Sequence, residues 1–591
     1  MLTSASEASG TILYKMHPAS QDVTPVCLIQ GDYFRSDFTG QVMKTQGVVT
    51  LDLDQTSKKG FFIQKQNCDG DPATSDGVFV NLGISRDIVS MGDYVEVQGV
   101  VEEDYGNTQV SIITGTVSVL SRDAPLPDPI DLRPPMNNNT SRWYYESLES
   151  MRVSLDDALV TGPSDSSDNI WVVRSDLGIQ RVYQDDPAGT GEVICVGDGG
   201  LFKTPPQTTV GDQLLNLSGV LEFDFGEYRM QLTNQPILIS HAENSQAVPY
   251  ISPKNESAIT MATLNLQDMF DTVNDPATKD KVLSFPEYIR RLQKFALLIH
   301  DKLGEPDLIA VQEAENDAVL KDLIAFKNIQ ADYQTLLVEG PDLRGQDVAL
   351  LYRADRVEIV ESQVYQDCTT LADGLGVDGN QDVYNPVNNI TCDTNGDGLL
   401  DGNRLFSRPP LRVRLKVCIM DCQNQMDETG WVEMTLLINH FKSKYEDGSI
   451  TPFTLPRRLQ EAQFIASLTQ QLHTADPDGY LFVLGDLNDY PASQPLTTLT
   501  AAGLRDLTQI IPHDDRFTYN YHGVSQGLDY VLFYPVLGLV PMDVQAFHVN
   551  ADYPHVLQSQ PQTYYRSSDH DPLLVILLPM PYQVNLPLGV R

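Results

Sequence analysis

Hydrophobic and polar positions divide the chain into two unlike halves. Between residues 29 and 120 the apolar residues fall in short runs broken by Gly, Asp and Asn. Gln41-Val-Met-Lys-Thr-Gln-Gly-Val-Val-Thr50, Gly60-Phe-Phe-Ile-Gln64, Gly77-Val-Phe-Val-Asn81, the stretch from Gly92 to Gly106 and Thr108-Gln-Val-Ser-Ile112 read as strands of an all-β barrel or sandwich. From Ile251 onward the pattern becomes α/β. Strands are predicted at Thr260–Asn265, Asp307–Glu313, Val348–Tyr352, Leu411–Val417, Glu433–Asn439, Leu481–Leu484, Asp529–Phe533 and Pro572–Ile576. Between them, Ile289, Leu292, Phe295, Ala296 and Ile299 keep helical spacing within Phe285 to Leu303, and a second helix is predicted from Arg458 to Leu472. This alternation predicts one large domain with mixed sheets.

The β pattern occurs twice. Gly99, Glu102, Asp104 and Gly106 correspond to Gly219, Glu222, Asp224 and Gly226, with one inserted residue after the preceding Gly-Asp turns at Gly92-Asp93 and Gly211-Asp212. The repeat predicts two tandem small β domains. The expected layout is a flexible leader over 1–28, a β domain over 29–120, a Pro- and Asn-rich linker over 121–143, a second β domain over 144–250, and an α/β domain over 251–585. Residues 362–410, full of Asp, Asn and Gly, form an insertion within the last.

Composition narrows the function. The 591 residues carry a formal charge of −40, from 80 acidic and 40 basic side chains. Such a balance excludes a protein held to nucleic acid by a general basic surface, so a polyanionic substrate needs locally placed cations. No run has the length of a membrane helix. The start, Met1 to Gly10, has neither a basic nor an apolar signal region, so the protein is intracellular or its signal lies outside this sequence. Seven cysteines include Cys368 and Cys392 around one loop-rich segment and Cys418 and Cys422 around a short excursion. Local disulfides there suit an extracellular protein, although spacing leaves the connectivity open.

The chemistry gathers at strand ends. Asp486 and Asn488 follow a buried strand with one residue between them, which places both side chains on one side. A carboxylate and an amide there suit a hydrated divalent cation and a phosphate oxygen. Asn265, Glu313, His440, Asp529, Asp569 and His570 also fall at or beside strand ends. Each alone has a plain structural explanation: a turn residue for Asn265, a helix cap for Glu313, a core histidine for His440. Eight polar residues at strand ends, in the order Asn, Glu, His, Asp-x-Asn, Asp, Asp-His, form a pattern.

The series Ala262-Thr-Leu-Asn265, Asp307-Leu-Ile-Ala-Val-Gln-Glu313, Asn439-His-Phe-Lys-Ser-Lys444, Gly485-Asp-Leu-Asn-Asp-Tyr490, Leu528-Asp-Tyr-Val-Leu532 and Ser568-Asp-His-Asp-Pro572 resembles the endonuclease/exonuclease/phosphatase superfamily. The Asn-His-Phe-Lys-Ser-Lys form and the N-terminal β pattern are similar to large bacterial extracellular nucleases with OB-fold modules. The resemblance implies an α/β four-layer sandwich of two central mixed sheets flanked by helices, preceded by two small OB-like barrels. It implies a secreted nuclease of low sequence specificity that hydrolyses DNA, with RNA left open, using Mg2+ or Mn2+. Asn265, Glu313 and Asp569 would hold the metal. Asp486 would orient or deprotonate the attacking water, Asn488 would bind phosphate, and His570 would donate to a non-bridging oxygen. His440 would be a general acid or phosphate ligand, and Asp529 a further ligand or orienting acid. Asp347 is the candidate for the acid that orients a histidine.

Arg344, Arg404, Arg408, Lys442, Lys444, Arg457 and Arg458 lie in or between the motifs as candidate backbone contacts. In the insertion, Asp393, Asn395, Asp397 and Asp401 occupy the first, third, fifth and ninth positions of a calcium loop, but Arg404 stands at the twelfth. A structural Ca2+ site and an unliganded turn both fit. Two other readings stay open: a phosphodiesterase of the same fold acting on lipid or small-molecule esters, and a non-catalytic nucleic-acid-binding protein. Neither a membrane partner nor an oligomeric state is indicated.

Overall fold

A computed structural model of the chain describes residues 22–241, 257–371, 392–420, 422, 430–445, 447 and 452–579. Most of the expected leader, the middle of the 362–410 insertion, the junction between the second β domain and the α/β domain, and the last expected residues of the α/β domain lie outside the described residues.

The first β unit is a closed five-stranded barrel in the order Val42–Leu53, Gly60–Gln64, Gly77–Asn81, Asn107–Ser121, Tyr94–Asp104. Alternate residues point inward, so Val49, Val95, Val97, Phe61, Ile63 and Val78 meet in one core. The second unit repeats the pairing scheme. Arg152–Gly162, Ile170–Arg174, Ile194–Gly197, Glu227–Leu232 and Gln213–Asp224 pair in that order, and the last strand pairs back to the first. The repeat seen in sequence is therefore a repeat of register. Both hairpins turn through two left-handed residues, Tyr105-Gly106 and Phe225-Gly226. Lys58 of the first unit bonds Glu222 at 2.9 Å and Asp224 at 2.6 Å in the second.

Two stretches read as loose are built in. The 121–143 segment holds strand Ile130–Asp131, which pairs with Val153 and Ser154, and most of it leads into helix Asn138–Glu146. Leu132, fully buried, belongs to the second unit's core. Proline removes ladder donors but does not stop apolar residues from packing. Near the leader's end, helix Val26–Gln30 buries Val26 and Ile29, and Cys27 is bonded to Cys68. Cys368–Cys392 and Cys418–Cys422 are also disulfides, and Cys195 is free and buried.

The α/β unit contains two six-stranded mixed sheets. One runs Tyr333–Leu337, Asp347–Arg353, Leu308–Ala314, Ile259–Met269, Leu573–Pro579, Leu539–Ala546. The other runs Val357–Val364, Leu411–Cys418, Trp431–His440, Tyr480–Asp486, Asp529–Phe533, Arg505–Asp506. Met261, Leu350 and Val575 of the first share one core with Val413, Leu436 and Leu484 of the second. The outer face of the first sheet packs on helices Phe285–Leu297 and Asp317–Ile324, through Leu292, Phe295 and Leu320. That of the second packs on Leu455–Ala475 and Gln494–Ala501, through Ile465 and Leu499. Covered on both faces, the central strands read as continuous apolar runs rather than alternating ones. Among the described residues no helix is long and apolar enough to cross a membrane.

The second β unit is joined to the α/β unit by main-chain pairing. Strand Val182–Tyr183 adds to the hairpin of Tyr519–Tyr521 and Val524–Gln526. Beside it the Arg181 guanidinium grips Asp552 with bonds of 2.8 and 2.7 Å and lies 4.0 Å over the Phe517 ring. Removing one member leaves a mostly buried charge without its partner. Arg181→Leu should lower unfolding stability by about 3 kcal/mol, and the double variant Arg181→Leu/Asp552→Leu by clearly less, in a denaturant double-mutant cycle. Additive losses would show that the pair is uncoupled.

Candidate active site

The second sheet builds the site by register. His440 pairs with Asp486, and Asp486 pairs with Asp529, so three strand ends place their polar residues in one row across neighbouring strands. Gly485 makes the close approach feasible. Its φ is +123°, and a Cβ there would sit 2.1 Å from the Asn439 carbonyl oxygen. Asn488 follows in a left-handed conformation, with its backbone N–H on Asp486 Oδ1 at 2.8 Å and its Nδ2 on the Phe441 carbonyl at 3.1 Å.

The first sheet brings two residues to the row by irregularity. The pairing of Leu308–Ala314 with Asp347–Arg353 slips between Gln312 and Ala314, which leaves Glu313 left-handed at φ +62°. The pairing of Ile259–Met269 slips after Asn265, with Gln267 and Asp268 also left-handed. Bulges re-aim side chains, and left-handed residues of this kind concentrate at functional sites. Arg291, from the Phe285–Leu297 helix, holds the second bulge by donating to the carbonyls of Leu266, Gln267 and Asp268.

The resulting cluster is tight. Asn265 Nδ2 lies 3.1 Å from Glu313 Oε1 and 3.3 Å from Asp486 Oδ2. His440 Nε2 is 3.7 Å from the same Glu313 oxygen and 3.5 Å from the same Asp486 oxygen. His570 Nδ1 bonds Asp529 Oδ2 at 2.8 Å, so its Nε2 faces the cluster, 3.9 Å from Asp486 Oδ2. The His570 segment is pinned by its neighbour Asp571, which accepts the backbone N–H groups of Val549, Asn550 and Ala551. Tyr519 lays its ring 4.8 Å from the His570 imidazole.

Burial sets the charges. It pushes Asp486 up to about 7, with His570 pulling the other way, and raises Glu313, with Asp268 and Asp569 adding repulsion. His440 is held well below the usual histidine range by burial and by the Arg408, Arg344 and His570 charges, and so is neutral. Burial opposes a charge on His570 too, but Asp529 and Asp486 outweigh it and keep the imidazole protonated.

The donor set fits a hard divalent cation. Glu313, His440 and Asp486 form one group whose ligand atoms lie within 4.8 Å of one another, and Asp486, Asp529 and His570 form another. Asn265 offers the cluster its amide nitrogen, while its oxygen accepts from Gln267 N–H at 2.8 Å. In this orientation it ties the two carboxylates together instead of supplying an oxygen ligand. Asp569 accepts from Ser568 Oγ at 3.4 Å and acts on Glu313 and His570 through charge.

Other sequence candidates lie elsewhere. Asp347 touches neither histidine; it accepts from Gly340 N–H at 2.8 Å and crowds Glu339 beside a cavity of about 480 Å³. The acid that orients His570 is Asp529. Lys444 is bound to Asp489 at 2.6 Å, Arg458 spans Asp489 and Asp447, and Arg457 donates to the Arg404 and Leu405 carbonyls, so these three serve the interior. Arg408 is buried beneath the site, on the Phe441 carbonyl and Gln346. Arg344 is half-exposed, its Nη1 4.0 Å from Asp268, and Lys442 gives its backbone N–H to Glu461. Asp393, Asn395, Asp397 and Asp401 wind around backbone N–H groups of their own loop.

Gln346, Asp268 and Tyr519 carry no signal in the sequence pattern. Gln346 Nε2 bonds Glu313 Oε2 at 2.9 Å and Asp268, and its oxygen accepts from Arg344 and Arg408. A glutamine before a strand looks ordinary until the bulge brings Glu313 to it.

Residues 260–383 match the Endonuclease/Exonuclease/phosphatase family. The matched stretch begins in strand Ile259–Met269 of the α/β unit, and members of that family are hydrolases acting on phosphate esters that generally depend on divalent metal. Residues 138–243 match a domain of unknown function and coincide with the second β unit. No curated protein matches the chain. Similar solved structures include an endonuclease/exonuclease/phosphatase from Bacteroides vulgatus, 17% identical over 55% of this chain and 99% of that one, with a TM-score of 0.33. The human Nocturnin catalytic domain with bound sulfate is 14% identical over 55% and 95%, with a TM-score of 0.33. D. rerio TDP2 complexed with a single-strand DNA product is 15% identical over 54% and 99%, also at 0.33.

Asp347 titrates apart from the cluster. Burial and Glu339 push it up to about 8, so the folded state holds a proton that the unfolded chain releases near pH 4. Folded protein thus binds more protons between those values, and stability is lost as pH rises through them. Asp347→Asn keeps the oxygen that accepts from Gly340. The variant should gain stability over the parent as urea-unfolding pH is raised from 5 to 8; a gap constant with pH would refute the assignment.

Proposed function

We propose that the protein is a secreted, metal-dependent nuclease that hydrolyses phosphodiester bonds of DNA, and of RNA where a strand is presented. The observation that carries this reading is the convergence of Glu313, His440, Asp486, Asn488, Asp529 and His570, from five separate segments, on one largely buried cluster. On the same reading the helix–sheet–sheet–helix order is the family's four-layer sandwich, and the two closed β rings are OB-like modules. Three disulfides support an oxidising, extracellular setting.

Glu313 would hold Mg2+ or Mn2+, with Asp268 and Asp569 adding negative charge nearby. When bound, the ion neutralises charge that builds on the phosphate in the pentacovalent state. The protein's own groups do the rest. Asp486 orients the attacking water and takes its proton. Asp529 fixes the His570 tautomer, so that protonated Nε2 donates to a non-bridging phosphate oxygen. His440, neutral and buried, hydrogen-bonds the phosphate from the other side, and Asn488 adds its amide. The Asp393–Asp401 loop is assigned to structural Ca2+.

Plasmid digestion with magnesium, manganese, calcium or chelator tests the reading. Wild-type protein should nick plasmid with magnesium or manganese and not in chelator. Asp529→Asn should lower kcat by ~100- to 10,000-fold with KM little changed, since it removes the group that orients the proton donor. Intact plasmid under every metal, together with cleavage of a phospholipid, would replace the nuclease reading by a lipid phosphodiesterase.

A further inference from the structure

The candidate cations of the site are largely engaged inside the protein, and the chain is acidic overall, so a strand needs another kind of grip. The hairpin beside His570 offers one. Tyr521 stacks on His522 at 4.0 Å and 8°, and His522 stacks on Trp171 of the second β unit at 4.7 Å and 13°. The three rings form one nearly parallel pile. It is locked from beneath: Trp171 Nε1 donates to Glu227 at 2.8 Å, His522 Nδ1 lies 3.3 Å from the same carboxylate oxygen, and Asn520 Nδ2 donates to the Thr161 carbonyl at 2.7 Å. The pile ends at Tyr521, which is 52% exposed and has a single ring partner among the described residues.

Strand periodicity links this end to the chemistry. Tyr519 and Tyr521 lie two residues apart on one strand, hence on the same face and ~7 Å apart. Tyr519 is the residue against His570. At the ~3.4 Å rise per nucleotide of a stacked strand, that is about two steps from Tyr519, the residue beside His570.

On the reading of the cluster as a phosphodiesterase centre, we propose that Tyr521 is a stacking platform for an unpaired nucleobase of the substrate strand, held ready by the second β unit. A fourth aromatic plane continues the pile without needing a cation, and every base has a face to offer. In a duplex those faces are covered by neighbouring pairs, so the platform selects single-stranded or melted ends. The role of the second β unit is then to hold His522 and Trp171 beneath the platform, which no nucleic-acid contact of its own is required to explain.

The test measures binding in chelator, where turnover does not intrude. Fluorescence anisotropy would compare a single-stranded oligonucleotide, the same length of abasic strand, and a duplex, each with wild type, Tyr521→Ala and Tyr521→Phe. Wild type should bind the intact strand about tenfold tighter than the abasic strand, a gap that Ala erases and Phe keeps. The gap should persist as salt is raised. Equal binding of intact and abasic strands by wild type overturns the proposal, as does an Ala variant with an unchanged gap. Plasmid cleavage by wild type separates the two readings. Cleavage without a base-dependent gap sinks only the platform, and a gap without cleavage of any phosphodiester sinks only the nuclease.

Discussion

The structure is arranged around a crowd of like charges removed from water. Glu313, Asp486 and Asp529 are drawn together at the end of two sheets, with Asp268 and Asp569 close by. Burial pushes Asp486 up to about 7 and raises Glu313, and repulsion from the neighbouring carboxylates adds to both shifts. The surrounding chain answers that repulsion with donors. Asn265 bridges two of the acids, Gln346 reaches Glu313 and Asp268, and His570 brings a positive charge between Asp486 and Asp529. Arg408 and Arg344 act one step back through Gln346. A site with this balance is short of positive charge at its centre, and that is the electrostatic basis for assigning it a divalent cation.

Placement relies on two different devices. In the second sheet the strands run in register to their ends, so His440, Asp486 and Asp529 become neighbours without local distortion. In the first sheet regular pairing would leave Glu313 in the ladder. The slips at Glu313 and after Asn265, with left-handed backbone at Glu313, Gln267 and Asp268, turn that side of the site inward. Unfavourable backbone of this kind persists only where the surroundings determine it. Arg291, from a helix on the outer face, supplies that determination by binding three successive carbonyls.

The second β unit is part of the same arrangement. Its short strand Val182–Tyr183 extends the hairpin that carries Tyr519, and Arg181 reaches Asp552 in the loop segment before Arg566 and His570. A shift of that unit would be transmitted along the hairpin to the ring against His570. On the proposed nuclease reading, the formal charge of −40 opposes the approach of a polyanion, so affinity would rest on local contacts.

Much of this was legible in the chain. Apolar runs located the central strands and the two main helices, because strands covered on both faces and helices covered on one leave unlike patterns. The offset between Gly99 and Gly219 announced a duplicated pairing scheme. The strand-end residues pointed to which side chains would gather, since register carries a strand's last residue to a predictable edge. Sequence could not separate Asp529 from Asp347 as the partner of His570: both adjoin a strand, and only the position of the strands brings one within 2.8 Å and leaves the other beside Glu339. Nor could it assign the cations, because Lys444, Arg457 and Arg458 look free until their internal acids and carbonyls are in place. Gln346, Asp268 and the pile from Trp171 to Tyr521 depend on bulges and on contacts between units far apart in sequence. Local pattern determined the elements and the types of residue at their ends; distance, burial and strain, which decide what those residues can do, belong to the tertiary structure.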